Sequence, residues 1–139
     1  MTRLATGGVV NRQRPLNFRF NGRRYQGLEG DTLASALVAN DVRVVGRSFK
    51  YHRPRGLLTC GTEEPNALVQ LLSDGDQPNL RATEIRLTEG LDATSVNCWP
   101  SAQFDIGAVS DWLSPLFPAG FYYKTFMAGP WDFYSRFIR

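Results

Sequence analysis

The sequence predicts an α+β fold in which a β-hairpin is followed by one helix and then by further strands. Alternating apolar and polar residues on both sides of an Asn-Gly pair, between residues 14 and 28, indicate the hairpin. Apolar residues at helical spacing between residues 33 and 40 indicate the helix. The chain has 139 residues, of which 42% are hydrophobic and 21% charged. These values fit one globular domain, or a smaller domain with an extension, and exclude extensive disorder.

The hairpin and the helix occupy the first 40 residues. Apolar residues alternate with polar ones along the two predicted strands: Leu16, Phe18, Phe20, Tyr25 and Leu28. Asn21-Gly22 is the two-residue turn that hairpins favour most. Asp31 or Thr32 is predicted to cap the N-terminus of the helix, because short oxygen-bearing side chains accept hydrogen bonds from the first free amides.

Three shorter segments complete the predicted sheet. A short strand is predicted at residues 42–45, a second at 67–72, and a third at 83–87, where Ile85 and Leu87 alternate with polar or charged residues. A hairpin, a helix, a loop and further strands follow one another in the order of a β-grasp domain, in which a mixed sheet curls around one helix. We therefore predict a β-grasp domain over residues 1–96.

Residues 97–139 have a different composition, since 12 of the 17 aromatic residues fall between positions 99 and 139. Apolar residues from Ile106 to Phe117 recur at helical spacing, and short helices are predicted here. A small β-grasp core cannot bury so many rings. We therefore predict an extension that packs on a partner domain or subunit. The predicted contact residues are Trp112, Phe121, Tyr122, Tyr123, Trp131, Tyr134 and Phe137.

The cysteines and the apolar runs limit the class of protein. Cys60 and Cys98 are too few for a disulfide framework or for a metal site made of thiolates. No apolar run approaches the roughly 18 residues of a membrane helix, and the N-terminus has no apolar core of signal-peptide length. We expect a cytoplasmic location and no membrane contact.

A basic loop, RSFKYHRPRG, is the most unusual local feature. Residues 1–60 hold 11 Lys and Arg against 3 Asp and Glu, whereas residues 61–139 hold 5 against 10. The loop residues that we single out as a candidate cofactor-binding or subunit-contact site are Arg47, Lys50, His52, Arg53, Arg55 and Gly56. Guanidinium groups match phosphate oxygens, and a glycine permits close backbone approach. The equally weighted alternative is pairing with Glu63, Glu64 or a partner's carboxylates.

Two other roles for this loop are weaker. His52 is a poor candidate for a general base, because cations flank it and no nucleophile or orienting carboxylate is adjacent in the sequence. Stacking of Phe49 or Tyr51 on a base would suit a nucleic-acid binder. We expect no nucleic acid as partner, because the C-terminal half is acidic and no repeated basic stripe exists.

The position of the basic loop invites comparison with plant-type ferredoxins. In those β-grasp proteins the loop after the helix carries a C-x4-C-x2-C motif that holds a [2Fe–2S] cluster together with a distant fourth cysteine. Here basic residues stand in that loop, and the chain has only two cysteines. Four thiolates cannot be provided, so we expect no cluster. Cys60 would mark the place of one former ligand.

Several segments resemble the N-terminal region of the alpha subunit of heterotetrameric sarcosine oxidase. They are GDTLASALVANDVRVVGRSFKYHRPRG, EEPNALVQL and WPSAQFDIGAVSDWLSPLFPAGFYYKTFM, and the resemblance extends from about Leu4 to Arg139. That family opens with a ferredoxin-like domain that has lost its cluster ligands. In the family a dinucleotide-binding domain and a folate-binding domain follow, whereas this chain contains no G-x-G-x-x-G motif. We therefore interpret the chain as a fragment or as a short subunit of a split enzyme.

The resemblance implies a function for the parent complex. Such a complex oxidatively demethylates sarcosine to glycine and formaldehyde and reduces oxygen to hydrogen peroxide. It uses FAD, FMN and NAD, with tetrahydrofolate as co-substrate, and none of these is expected to be held by this chain alone. The chain would be a structural and interaction domain whose partners are the remainder of the alpha subunit and the other subunits. The alternatives are a ferredoxin-like electron-transfer module and, third, a basic nucleic-acid-binding domain.

Overall fold

The computed structural model describes residues 3–73 and 75–112 of the chain. A five-stranded sheet is formed by β1 (Asn11–Phe20), β2 (Arg23–Glu29), β5 (Leu68–Leu71), β6 (Gln77–Arg81) and β7 (Asp92–Ser95). The strand order is β2-β1-β7-β5-β6, in which β1 and β7 are parallel and the other neighbours are antiparallel. The helix α1 (Leu33–Ala39) follows the hairpin, and a separate two-stranded ribbon pairs β3 (Gly46–Arg47) with β4 (Pro54–Arg55). The predicted α+β, β-grasp fold is confirmed.

The hairpin forms as predicted. Asn21 and Gly22 have φ angles of 52° and 75°, which the residue pair of a tight hairpin turn must adopt and which Asn and Gly tolerate best. The Asn21 side chain also ties the turn to β7, because its Oδ1 accepts hydrogen bonds from Ser95 N (2.8 Å) and Thr94 Oγ1 (2.9 Å). The turn thus fixes the position of the parallel strand as well as the hairpin itself.

Helix α1 covers the inner face of the hairpin. Leu33 and Leu37 on the helix, with Phe18 and Phe20 on β1, belong to one buried cluster. Thr32, one of the two predicted caps, is the N-cap residue, and it exchanges hydrogen bonds with the residue at position 35 in a capping box. The other residue, Asp31, does not cap the helix.

Asp31 is instead a buried residue that links three segments by hydrogen bonds just before the helix. Its carboxylate accepts hydrogen bonds from Leu28 N (2.8 Å), Ser35 Oγ (2.8 Å) and both terminal nitrogens of Arg3. Burial raises the pKa of Asp31, but the hydrogen bonds from Arg3, Leu28 and Ser35 outweigh it and lower the pKa below its usual value. The carboxylate therefore stays charged and connects the N-terminal segment to the hairpin.

The outer edge of β2 is partly closed by side chains near the helix. Asn40 Nδ2 donates to Gln26 O (2.8 Å), and the backbone N–H of Leu28 donates to Asp31. The carbonyl of Leu28 accepts a hydrogen bond from the backbone N–H of Asp31 (3.0 Å). These contacts occupy backbone groups of β2, which is an edge strand of the sheet.

The second half of the sheet differs from the prediction in several places. The strand predicted at 67–72 is confirmed as β5. The strand predicted at 83–87 is wrong: this segment is a turn with one isolated bridge between Thr32 and Arg86. Ile85 and Leu87 alternate with polar residues because they pack against the core from a loop. The predicted strand at 42–45 falls just before the actual strand β3. Strands β6 and β7 were not predicted.

In the described part of the extension, a helix starts at the position that the sequence predicts. A 3₁₀ turn, Ile106–Ala108, is capped by Asp105 and leads directly into α2 (Val109–Trp112). The predicted continuation of this helix and the contact residues Phe121, Tyr122, Tyr123, Trp131, Tyr134 and Phe137 lie outside the described residues. No helix in the described part of the chain has the length and apolar character that a membrane crossing requires.

Candidate interaction surface

The basic loop is a short ribbon whose two ends are strands β3 and β4. Arg47 lies on β3 and Arg55 on β4, and the residues between them turn back through hydrogen bonds from His52 N to Ser48 O (3.0 Å) and from Ser48 N to Arg53 O (3.0 Å). His52 has a φ angle of 53°, in the left-handed region that non-glycine residues seldom adopt. This backbone conformation allows the loop to reverse around the His52 side chain.

Asp105 is the buried centre on which the loop and the extension meet. Its Oδ2 lies 2.7 Å from His52 Nδ1 and 3.6 Å from Arg47 Nε. Its Oδ1 accepts hydrogen bonds from the backbone N–H groups of Trp99 (2.9 Å) and Gly107 (3.2 Å). One carboxylate thus joins residues that lie more than 50 positions apart in the sequence.

The charge of Asp105 is stabilised by these contacts. Burial raises the pKa of its carboxyl group, but the hydrogen bonds from Trp99 N, His52 and Gly107 N outweigh burial and lower the pKa below its usual value. The same carboxylate adds to burial in raising the pKa of the nearby Cys98 thiol, which therefore stays protonated. We infer that Asp105 is an anion that holds structure, and that Cys98 is not a thiolate nucleophile.

Arg47 reinforces the junction through backbone carbonyls. Its Nε donates to Ala102 O (2.8 Å), and its Nη1 donates to His52 O (2.6 Å). A weaker contact joins Nη2 to Gln103 O at 3.4 Å. Because the guanidinium is largely buried and used by the chain itself, it is not positioned to hold an external phosphate.

The other predicted loop residues are also engaged within the chain. Arg53 Nε donates to Asp111 Oδ1 (2.8 Å) on α2, and this partner raises the pKa of Arg53. Arg55 Nη1 donates to Asn66 Oδ1 (3.0 Å). The Lys50 ammonium and the Arg53 guanidinium both lie about 5 Å from the centroid of the Tyr51 ring, in cation–π contact.

Gly56 allows its backbone to pack closely against the backbone of Arg43. A Cβ atom at this position would lie 2.4 Å from the carbonyl oxygen of Arg43, which leaves no room for a side chain. The predicted role of Gly56, close approach of the backbone to a phosphate, stays a prediction; within the chain this glycine permits close packing against Arg43. Gly107 is similarly restricted, since a Cβ atom there would lie 2.3 Å from the His52 ring.

Asp105 is the functional residue that sequence reasoning missed. The prediction considered Glu63 and Glu64 as internal partners of the loop, whereas the described carboxylate partners are Asp105 and Asp111. An aspartate just before a predicted helix signals an N-cap, which is one role that Asp105 has. Nothing local in the sequence signals its contact with His52.

An exposed apolar surface lies on the segment that this junction holds. Trp99, Phe104 and Trp112 have 69%, 71% and 82% of their surface exposed, and Ile106 and Val109 are also exposed. The backbone of this segment is folded tightly around Asp105, as the hydrogen bond from Ile106 N to Trp99 O (2.9 Å) shows. We call these five residues the apolar surface. Such a group of large exposed side chains is typical of a protein contact site.

Another buried carboxylate, Glu64, organises the loop that precedes β5. Its Oε2 accepts hydrogen bonds from the backbone N–H groups of Leu58 (2.8 Å) and Thr59 (2.6 Å). Its Oε1 accepts hydrogen bonds from the backbone N–H groups of Asn66 (2.8 Å) and Ala67 (3.1 Å). Burial raises the pKa of Glu64, but the four amide hydrogen bonds outweigh it and lower the pKa to about 2.

The hairpin, the helix α1 that packs on it and the mixed five-stranded sheet define a β-grasp domain of the ferredoxin type. The family described as "2Fe-2S iron-sulfur cluster binding domain" matches residues 13–98, and the chain belongs to that family. Its two cysteines do not fit the cluster that the family name implies, because such a cluster takes four protein ligands and Cys60 is the only thiol in the loop. Within the described residues, no group of three or more His, Cys, Asp and Glu side chains could hold a metal ion.

The relatives agree with the resemblance stated from the sequence. The chain is 63% identical over 126 residues to "Sarcosine oxidase subunit alpha" of Rhizobium meliloti (strain 1021), a match that covers 90% of this chain and 13% of that protein. It is 39% identical to the protein of the same name from Corynebacterium sp. (strain U-96), over 63% of this chain and 10% of that protein. The matches therefore cover only 9–13% of the length of these relatives. The predicted resemblance to the sarcosine oxidase alpha subunit is confirmed.

A looser likeness is found among solved structures. The "Crystal structure of L-proline dehydrogenase from P.horikoshii" matches 66% of this chain and 17% of that chain, with 24% identity and a TM-score of 0.49.

Proposed function

We propose that this chain is a structural and interaction domain of a multi-subunit flavoprotein oxidase that acts on sarcosine or a related N-methyl amine. The parent enzyme would demethylate sarcosine oxidatively to glycine and formaldehyde and reduce oxygen to hydrogen peroxide. The names of the relatives, which are alpha subunits of sarcosine oxidase, support this reaction class. We place the complex in the cytoplasm, with no membrane or nucleic-acid partner.

The observation that carries the proposal is the joining of the basic loop to the apolar surface. Arg47 and His52 bind Asp105, and Arg53 binds Asp111, so these side chains of the loop hold the segment 97–112 against the domain. That segment presents Trp99, Phe104 and Trp112 outward. We propose that the loop is a latch that positions a contact surface, and that the chain itself carries no complete active site.

The cofactors of the parent complex lie outside this chain in our proposal. FAD, FMN and NAD, with tetrahydrofolate as co-substrate, would be held by the remainder of the alpha subunit and by the other subunits. The absence of a G-x-G-x-x-G motif from the sequence supports this assignment. Trp112 and the aromatic residues beyond it, which the sequence predicts as subunit contacts, would face those partners.

Substitution of the apolar surface in the complete enzyme tests the proposal. Trp99→Ser and Phe104→Ser together should reduce the yield of assembled complex, measured as complex mass, because they remove apolar area that a partner would cover. Val9→Ser is the matched control, since Val9 is also an exposed apolar residue but lies near the start of β1. Unchanged assembly of the double variant would contradict the proposal.

Substitution of the loop separates the two roles predicted for it. Arg53→Ala with Arg55→Ala should weaken assembly while flavin content per assembled complex stays constant, because both side chains bind groups of this chain. If the loop grips a cofactor phosphate, the same variant would instead assemble normally and lose that cofactor. Cofactor stoichiometry measured beside complex mass distinguishes these outcomes.

The alternative function, ferredoxin-like electron transfer, is favoured only by the family description. The cysteine count weighs against it, because the cluster needs four protein ligands and the sequence offers two thiols. A visible absorbance spectrum of the purified chain decides between them. The characteristic bands of a [2Fe–2S] centre would establish the electron-transfer function and overturn the structural one.

A further inference from the structure

The loop around Glu64 is the part of the molecule where a ferredoxin would bind its cluster. A C-x4-C-x2-C motif counted from Cys60 requires cysteines at positions 65 and 68, where this chain has Pro65 and Leu68. Glu64 lies inside this window, directly before the first of the two missing ligands. Its side chain is fully buried, whereas Cys60 is exposed.

The four amides that bind Glu64 form a cradle for an anion. Leu58 and Thr59 approach one carboxylate oxygen, and Asn66 and Ala67 approach the other. Successive backbone N–H groups that converge in this way are a general anion-binding arrangement. An iron–sulfur cluster with its thiolates is also an anionic group whose sulfurs accept hydrogen bonds. A loop that has lost the cluster would leave such donors buried and unpaired, which is costly.

We infer that the Glu64 carboxylate substitutes for the anionic cluster, and that the loop 58–67 is an anion cradle filled from within the chain. The substitution explains how the loop keeps a defined shape without four cysteine ligands. Two further contacts secure the same loop from β6 and the turn after it. Arg81 Nε donates to Glu64 O (3.2 Å), and Thr83 Oγ1 donates to Gly61 O (2.8 Å).

Removal of the internal anion should create a site for an external one. In this chain, Glu64→Ala should lower the melting temperature by about 5 °C or more, because four buried donors lose their acceptor. Sodium formate, the smallest carboxylate, should restore part of that loss and should shift the amide NMR signals of Leu58, Thr59, Asn66 and Ala67. Formamide at the same concentration is the neutral control and should restore nothing.

Glu63→Ala is the matched variant, because Glu63 is the adjacent carboxylate but is exposed to solvent. We expect it to melt within about 1 °C of the parent chain and to show no response to formate, since its cradle is still filled. The parent chain should likewise show no response. Equal formate responses in the Glu64→Ala variant and the parent chain would overturn the inference.

A variant of conserved size covers the case in which Glu64→Ala does not fold. Glu64→Gln keeps the volume but replaces one acceptor oxygen by an NH₂ group that faces two backbone donors. Hydrogen exchange at one pair of cradle amides, either Leu58 and Thr59 or Asn66 and Ala67, should accelerate at least tenfold while the amides of β1 change less. Unchanged protection of all four cradle amides would contradict the inference.

Discussion

Glu64 and Asp105 are both buried carboxylates with lowered pKa values, but different groups hold them. Glu64 binds four backbone amides from its own loop, all within six residues. Asp105 binds two local amides and the side chains of His52 and Arg47, which belong to the distant basic loop. The first carboxylate therefore fixes a local shape, and the second fixes the relation between two segments. Substitution should separate these two tasks.

The largest difference is expected in global stability. Glu64→Gln should lower the free energy of unfolding by about 3 kcal/mol, because it leaves buried backbone donors without an acceptor inside the sheet domain. Asp105→Asn should cost about 1–2 kcal/mol, since its amide oxygen can still accept from the backbone. Chemical denaturation at pH 7 measures both values. Equal losses would show that the two carboxylates do the same work.

Lowering the pH should remove a stabilising charge at both sites, because the pKa of each carboxyl group is lowered in the folded chain. The pKa of Glu64 is about 2 in the folded chain against an ordinary 4.5, so its charge stabilises the fold fully above pH 4.5. That contribution is lost as the pH falls from 4.5 towards 2. Denaturation curves of the parent chain should therefore shift to lower denaturant over this range. In Glu64→Gln the shift should be smaller, and an identical shift would contradict the assignment.

The smallest effect is expected from the glycine beside His52. A methyl group at position 107 would overlap the imidazole ring, so Gly107→Ala should displace His52 from Asp105. We expect faster amide hydrogen exchange at residues 99–107 with little change in the denaturation midpoint, because the sheet domain does not depend on this contact. Gly75→Ala is not a suitable control, because Gly75 has a positive φ angle. Ala108→Gly controls for backbone flexibility in the same turn.

Local rules predicted the first 40 residues well. The Asn21-Gly22 turn, the alternation along β1 and the cap at Thr32 each depend on neighbours in the sequence, and each is present. The later strands depend on distant partners. The sequence of β7, DATS, has no strand pattern, and it forms a strand because β1 and β5 pair with it on both sides. The alternation at Ile85 and Leu87 wrongly predicted a strand because, apart from the isolated bridge between Thr32 and Arg86, no described strand pairs with this segment.

The residues of the basic loop could be predicted as a candidate site from the sequence, but the residues that they contact could not. The basic loop stands out in the sequence, and its residues do lie at a junction. Its partner, Asp105, is 53 residues away from His52, and no local pattern relates the two. The burial of Glu64 was also missed, because a carboxylate beside Pro65 in a turn resembles an ordinary surface residue until the four amides around it are known.

The partly closed edge of β2 has a consequence for how copies of this chain pair with one another in solution. Asn40 and Asp31 occupy the strand groups of Gln26 and Leu28 that another chain's strand would need for pairing. At the other end of the same strand, Arg24 lies directly opposite Arg19, so an approaching identical edge would meet concentrated positive charge. Edge-to-edge pairing of copies through β2 is therefore opposed at one end of the strand by occupied hydrogen bonds and at the other by charge repulsion.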